Sequence, residues 1–214
     1  VIDRRTVMLA GALAAGKAVA AMPIPPGRGL GFRLIRHGSE IGRHSLTFES
    51  RADFCTVRTE VSALVTLLSI PVVRYTHRVV ETWRGEMLTS LTGETDKNGQ
   101  HEWIEARRSN AGLVVLGSRT HRYLAPEPAG CTSYWDKRQL LGPMISLEDG
   151  VLLRPKVAAL GTETISLASG ETTPAEHYNL SGAFNVDLWY DASQTWTGLA
   201  LAAADGSAVH YERL

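Results

Sequence analysis

Val72-Val73-Arg74-Tyr75-Thr76-His77-Arg78-Val79-Val80-Glu81-Thr82-Trp83 reads as a β-strand, and the residues after it repeat the design twice. β-branched and aromatic side chains suit a pleated, half-buried surface. Arg84-Gly85-Glu86 turns the chain, residues 87–95 run back, Lys97-Asn98-Gly99 turns it again, and residues 101–107 form a third strand. Asn-Gly is a strong hairpin signal because both residues accept positive φ. In the first strand Val73, Tyr75, His77, Val79, Glu81 and Trp83 share one face, and Arg74, Thr76, Arg78, Val80, Thr82 and Arg84 share the other. The second face is solvated and the first is mostly core. His77 and Glu81 are embedded in that core face, about 13 Å apart along the strand and too distant to pair directly.

The same grammar runs outward in both directions. Upstream, residues 30–35 place Phe32 and Leu34 on one face, and His37-Gly38-Ser39 turns into a second strand carrying Ile41, Leu46 and Phe48. Residues 54–68 form a third segment whose end, Ala63-Leu64-Val65-Thr66-Leu67-Leu68, is a continuous apolar run. Such a run fits a wholly buried strand or a short amphipathic insertion, and periodicity does not separate the two. Downstream, Ser109-Asn110-Ala111-Gly112, Asp149-Gly150, Ser169-Gly170, Asp191-Ala192-Ser193 and Asp205-Gly206 punctuate further strands. Phe184, Val186, Leu188 and Tyr190 point inward there, and Asn185, Asp187 and Trp189 outward. The one helical turn falls in residues 131–142, with Ser133 or Thr132 as cap and Gly142-Pro143 as stop.

About a dozen short strands with a turn at nearly every boundary define an all-β fold. Sequential hairpins favour an antiparallel meander, because tight turns join only antiparallel neighbours. So many strands curl, since open edges invite aggregation. The expectation is a strongly curved sheet or partly open β-barrel, with one short helix near residues 134–141 plugging a mouth.

The 22 basic side chains balance the 22 acidic ones. A nucleic-acid binder needs a basic surplus to neutralise phosphates, so that class is disfavoured. Arg74, Arg78, Arg84, Arg107 and Arg108 form at most a local stripe, more simply read as solvated strand faces. No run of 18 apolar residues occurs, so the mature chain has no conventional transmembrane span.

Asp3-Arg4-Arg5-Thr6-Val7-Met8-Leu9 precedes an Ala/Gly-rich run, then Lys17 and Ala18-Val19-Ala20-Ala21. A charged start, a short apolar stretch and small residues make an export signal rather than a span. Arg4 and Arg5, followed one residue later by Val7 and Met8, resemble a twin-arginine signal, which implies a bacterial protein passed to the twin-arginine export machinery. The expected division is a signal peptide over 1–21, an extended linker over 22–29, and a single β domain over 30–214. The expected location is periplasmic or secreted.

Three stretches carry a family resemblance: Val73-Arg74-Tyr75-Thr76-His77-Arg78 through Glu81-Thr82-Trp83-Arg84-Gly85, then Cys131-Thr132-Ser133-Tyr134-Trp135, then Tyr178-Asn179-Leu180-Ser181-Gly182 through Asp187-Leu188-Trp189-Tyr190-Asp191. In order and spacing the chain resembles an uncharacterised family of exported bacterial proteins, known as a domain of unknown function. The resemblance covers nearly all of the mature chain and brings no catalytic residue with it. More loosely, the meander resembles curved-sheet envelope proteins that carry lipoproteins or other apolar cargo.

Candidate chemistry is sparse. Cys55 and Cys131 are the only cysteines, and in an oxidising compartment they form a possible disulfide. The seven histidines show no metal-ligand spacing, and no nucleophile elbow or phosphate loop occurs, so neither metal nor cofactor is expected. Tyr75, Trp83, Trp103, Tyr134 and Trp135 are the candidate ligand-binding residues, as aromatics able to line a concave apolar pocket. Ordinary core packing is the alternative. Three functions follow: a non-enzymatic periplasmic binding or carrier domain for an apolar small molecule or lipid, an envelope structural or interaction protein with a filled core, or a hydrolase using the Ser133–Asp136 loop.

Overall fold

The computed structural model describes residues 22–67, 70–203 and 205–214, with the backbone alone at 67, 70 and 71. The expected export signal, Arg4 and Arg5 included, lies outside the described residues.

Eight antiparallel strands follow one another: β1 (Gly29–Arg36), β2 (Ser39–Arg51), β3 (Phe54–Leu67), β4 (Ile70–Arg84), β5 (Met87–Lys97), β6 (Gln100–Ser109), β7 (Gly112–Gly117) and β8 (Thr120–Leu124). A crossing segment then carries three two-residue strands, β9 (Gly130–Cys131), β10 (Met144–Ile145) and β11 (Leu152–Leu153), with a 3-10 turn over Lys137–Leu141. The meander resumes through β12 (Lys156–Ser166), β13 (Thr172–Ser181), β14 (Val186–Tyr190), β15 (Trp196–Ala202) and β16 (Ala208–Arg213). β16 pairs with β1, Leu34 opposite Tyr211, and this fuses both halves into one 13-stranded sheet. β12 and β8 are its edges and do not pair, so the barrel stays open.

The two-residue period decides which side chains are inside. On β4, Arg74, Arg78 and Arg84 are exposed, while His77, Val79, Glu81 and Trp83 are buried. The β5–β6 hairpin closes on Asn98 (φ 56°) and Gly99 (φ 83°), the left-handed pair its two-residue turn requires. On β14, Val186, Leu188 and Tyr190 are buried, as the alternation predicts.

The crossing segment fills the middle. Trp135, Leu140, Met144, Ile145 and Leu147 join one buried cluster with Phe32, Leu46, Val57, Val79 and Leu91 of the sheet. Complete burial of an aliphatic side chain of this size stabilises by about 2 kcal/mol. Two glycines let the segment lie directly on the sheet. The carbonyl of Leu147 stands 2.9 Å from where a Cβ on Gly93 would be, and that of Asp149 is closer still to the same point on Gly117.

Three expectations need correction. The 3-10 turn is capped by Asp136, whose Oδ1 accepts from the Arg138 amide at 3.0 Å. Ser133 and Thr132 do not cap it, because their hydroxyls are engaged elsewhere: Ser133 donates to Glu81, and Thr132 Oγ1 accepts from the Leu147 amide. The apolar end of β3 is not wholly buried, for Leu64 is 45% exposed. Residues 22–29 are not a free extended linker. Met22 and Ile24 pack on the core, and Pro26–Arg28 forms a 3-10 turn, which a proline at its first position permits.

Candidate functional site

The inner faces of β3 and β4 change character along their length. Cys55, Val57, Thr59 and Val61 are buried, but Ala63 and Val65 beyond them are half-buried. Opposite them, Trp83, Glu81, Val79 and His77 are buried, whereas Tyr75 and Val73 are half-buried. The crossing segment covers one end of the inner face and leaves apolar and aromatic surface available at the other.

A polar and aromatic group borders that open end. Tyr75 Oη donates to Glu148 Oε1 at 2.7 Å, tying β4 to the crossing segment. Burial and then the Glu148 charge push the pKa values of Tyr75 and of Tyr211 far above the ordinary phenol range. Burial does the same to Tyr134, assisted by Tyr211 and Glu148. Tyr75 thus bonds directly to Glu148, and the Tyr134 and Tyr211 phenols lie close enough to feel its charge. Trp196 packs edge-on against Tyr134 (centroids 6.0 Å) and against His44 (5.3 Å).

His44 is the unusual member. It is 8% exposed, between Phe32, Trp196 and Tyr211, and neither ring nitrogen has a hydrogen-bond partner. Burial, with the neighbouring His77 second, pushes its pKa down to about 3. His77 shares a 2.8 Å hydrogen bond with Thr95 Oγ1 and is pushed down to about 4 by burial. Both imidazoles are neutral at pH 7, so His44 presents one donor and one acceptor inside an aromatic wall. Rings and methyls for an apolar body, with a few fixed polar atoms to orient it, are what small-ligand sites are made of.

A second polar group lies wholly inside. Trp83 Nε1 donates to Glu81 Oε2 at 2.9 Å, and Ser133 Oγ donates to the same oxygen at 3.3 Å. Burial raises Glu81 to about 7, against the opposing pull of the Trp83, Ser133 and Trp135 donors. The Trp135 contact is poorly aligned, since its Nε1 and Glu81 Oε1 both lack a partner of good geometry. Trp83 and Trp135 meet edge to face at 5.8 Å. Cys55 and Cys131 are both buried and both free, so the possible bridge between them is not formed in the structure. Cys55 lies opposite Trp83 on β4, and Cys131 opposite Ile145 in the small sheet. Burial is the main reason both thiols have raised pKa values, with the nearby Glu81 charge adding to it.

The hydrolase constellation is incomplete. A carboxylate does stand beside Ser133, but the serine is 2% exposed and no histidine bonds to it. Asp136 is occupied by Arg138, which donates to it through its backbone amide and guanidinium.

The five aromatic candidates thus fall in three places. Tyr75 and Tyr134 border the open end, and Trp83 and Trp135 surround Glu81. Trp103 is 41% exposed on the outer face, in a polar groove of about 930 Å³ with Arg74, Arg78, Glu94 and Asp96. The basic stripe alternates with carboxylates there, Arg78 lying opposite Glu94. Sequence reasoning missed His44, Glu148 and Tyr211 at the open end. Alternation along β2 and β16 points to His44 and Tyr211, but nothing local to the sequence signals that Glu148 reaches Tyr75.

Fold and interior define a class: an open, antiparallel, β-barrel-like domain whose interior is threaded by its own crossing segment. The chain belongs to the family catalogued as a domain of unknown function, DUF6134, whose model matches residues 32–214. Among solved structures it is similar to a β-barrel-like protein of another domain of unknown function, DUF1849, from Brucella abortus. That likeness has a TM-score of 0.60 at 10% identity, over 87% of this chain and 94% of that one, and it is a likeness of fold. No curated protein matches the chain.

Proposed function

We propose that the protein is a non-enzymatic binding or carrier domain for a small amphipathic or apolar ligand, working in the bacterial periplasm after twin-arginine export. The observation that supports this most is the burial gradient on β3 and β4. The inner face is sealed beside Glu81 and offers Ala63, Val65, Val73 and Tyr75 at the open end. The ligand's apolar part rests on these side chains and on the aromatic wall, and its polar part meets His44 or the phenols around Glu148. The two interior histidines are neutral and too weakly basic to act as general bases at pH 7, and Glu81, raised to about 7, is fully buried away from the open end.

One observation favours a second reading, an interaction protein with a solid core: Trp135, Met144, Ile145 and Leu147 already occupy the interior centre. Native mass spectrometry of protein purified from its own periplasm separates the two. The carrier reading expects a co-purifying apolar molecule that is lost in Tyr75→Ala. A clean apo mass in repeated preparations leaves the filled-core reading.

A further inference from the structure

The two edges of the large sheet are built differently. β8 is five residues long and exposes His121 and Arg122, a short and charged edge of the kind that resists pairing. β12 is eleven residues long, and ten of them are exposed, so neither of its faces is covered. It pairs with β13 alone, and its outer backbone edge has no partner strand among the described residues. Between Lys156 and Glu163 it carries no charge and no proline. Val157 is 39% and Leu160 58% exposed. A long, uncharged edge of this kind is a template for a further strand.

The charges near its two ends say which strand. A bulge separates Ala159, opposite Tyr178, from Gly161, opposite His177. The extra residue, Leu160, shifts the side-chain alternation by one. Lys156 and Glu163 would lie on opposite faces of a regular strand, their positions differing by an odd number. Here they stand opposite Ser181 and Ala175, and both share the face that carries His177 and Trp189. Beside an antiparallel second copy, with the twofold axis between Ala159 and Leu160, β12 therefore meets its own complement. Lys156 of each copy faces Glu163 of the other, Val157 faces Thr162, and Ala158 faces Gly161. Lys156 has no ion pair among the described residues. Trp189 Nε1 donates to Glu163 Oε1 at 2.5 Å and His177 Nδ1 stands 3.1 Å from the same oxygen, which leaves Oε2 without a partner among the described residues. At the foot of the strand Leu141, Pro143, Pro155 and Val157 line a groove of about 400 Å³, and Leu141 is 87% exposed. Edge pairing alone is small against the about 20–30 residues a side of a stable interface, and this adjoining apolar surface enlarges the contact.

We propose that β12 is the edge through which two copies of this chain pair, their sheets joined antiparallel in the register that sets Lys156 against Glu163 twice. The pairing does not depend on any cargo. Sedimentation velocity of the full chain over a concentration series tests it, and a monomer–dimer equilibrium is expected. Lys156→Glu and Glu163→Lys each set like charges opposite one another at both ends of the ladder. Each is expected to raise the dimer dissociation constant at least about tenfold. Mixed in equal amounts, the two variants restore opposite charges at both ends, and the mixture is expected to dimerise as the parent does. Near-UV circular dichroism confirms that both variants are folded, since Glu163→Lys also removes the acceptor of Trp189. A parent that stays monomeric overturns the proposal, whether the edge is then open or holds an extended segment of another protein. Variants that dimerise as the parent does, or a mixture that stays monomeric, overturn it too.

Discussion

Trp83 Nε1 and Glu81 Oε2, from side chains two positions apart on one strand, meet at 2.9 Å inside the core, and Ser133 of the crossing segment donates to the same oxygen. One buried carboxyl thus latches the segment to the sheet.

The latch has a pH sign. Folding raises the Glu81 pKa from 4.5 to about 7. The neutral carboxyl therefore adds stability that is fully present below 4.5 and is lost as pH rises to about 7. Glu81→Gln keeps an acceptor for Trp83 and removes the buried charge. It should match the parent protein near pH 4.5 and be more stable by about 3 kcal/mol at pH 8. Urea unfolding at the two pH values checks this, and a variant less stable at pH 8 contradicts it.

The interior histidines act in the opposite direction. His44 and His77 have folded pKa values of about 3 and about 4, below the ordinary 6.5. Their neutral state supports the fold above 6.5, and that support is lost as pH falls through 6.5 toward 3. Between pH 7 and 5 the pair is expected to cost about 4 kcal/mol, while protonation of Glu81 returns about 2. The parent protein should lose about half of the histidine cost over this range. In Glu81→Gln the full loss should appear between pH 7 and 5, and His44→Phe should remove about half of it. A flat profile in Glu81→Gln rejects this balance.

Gly117 and Gly93 should tolerate no side chain. A methyl on either meets a backbone carbonyl of the crossing segment, which has no rotamer with which to retreat. Alanine at Gly117 is expected to cost about 3 kcal/mol, with a similar loss at Gly93. Gly29→Ala is the control, because its Cβ would meet only the Leu46 carbonyl at 3.5 Å and its φ of −154° suits any residue. Thermal unfolding of the three variants gives the order directly.

The two thiols should be free and shielded. An intact mass measured without reductant should show both hydrogens present on Cys55 and Cys131, with alkylation only in denaturant. A mass lower by two hydrogens shows a bridge.

Much of the fold was legible because strand alternation is a local property. The turn at Asn98-Gly99, the two faces of β4 and the inward set on β14 all follow from the period of two and from turn chemistry. The export-like arginines belong to a stretch the structure does not describe. What escaped was non-local. That Asp136 and not Ser133 caps the 3-10 turn depended on Glu81, 52 positions from Ser133, which engages the serine hydroxyl. Composition left residues 63–68 as either a buried strand or an amphipathic insertion, and Leu64 is 45% exposed because no second layer packs over it. The aromatic candidates were chosen by residue type, and type does not distinguish the outer face of β6, which holds Trp103, from the interior that holds Trp135.

Ligand binding at the uncovered end of the inner face is tested most directly by methyl-resolved NMR during titration with a medium-chain fatty acid. The methyl signals of Ala63, Val65 and Val73 should shift together while those of Val57 and Leu91, in the sealed core, stay fixed. Unmoved Ala63, Val65 and Val73 signals at saturating ligand would contradict binding there.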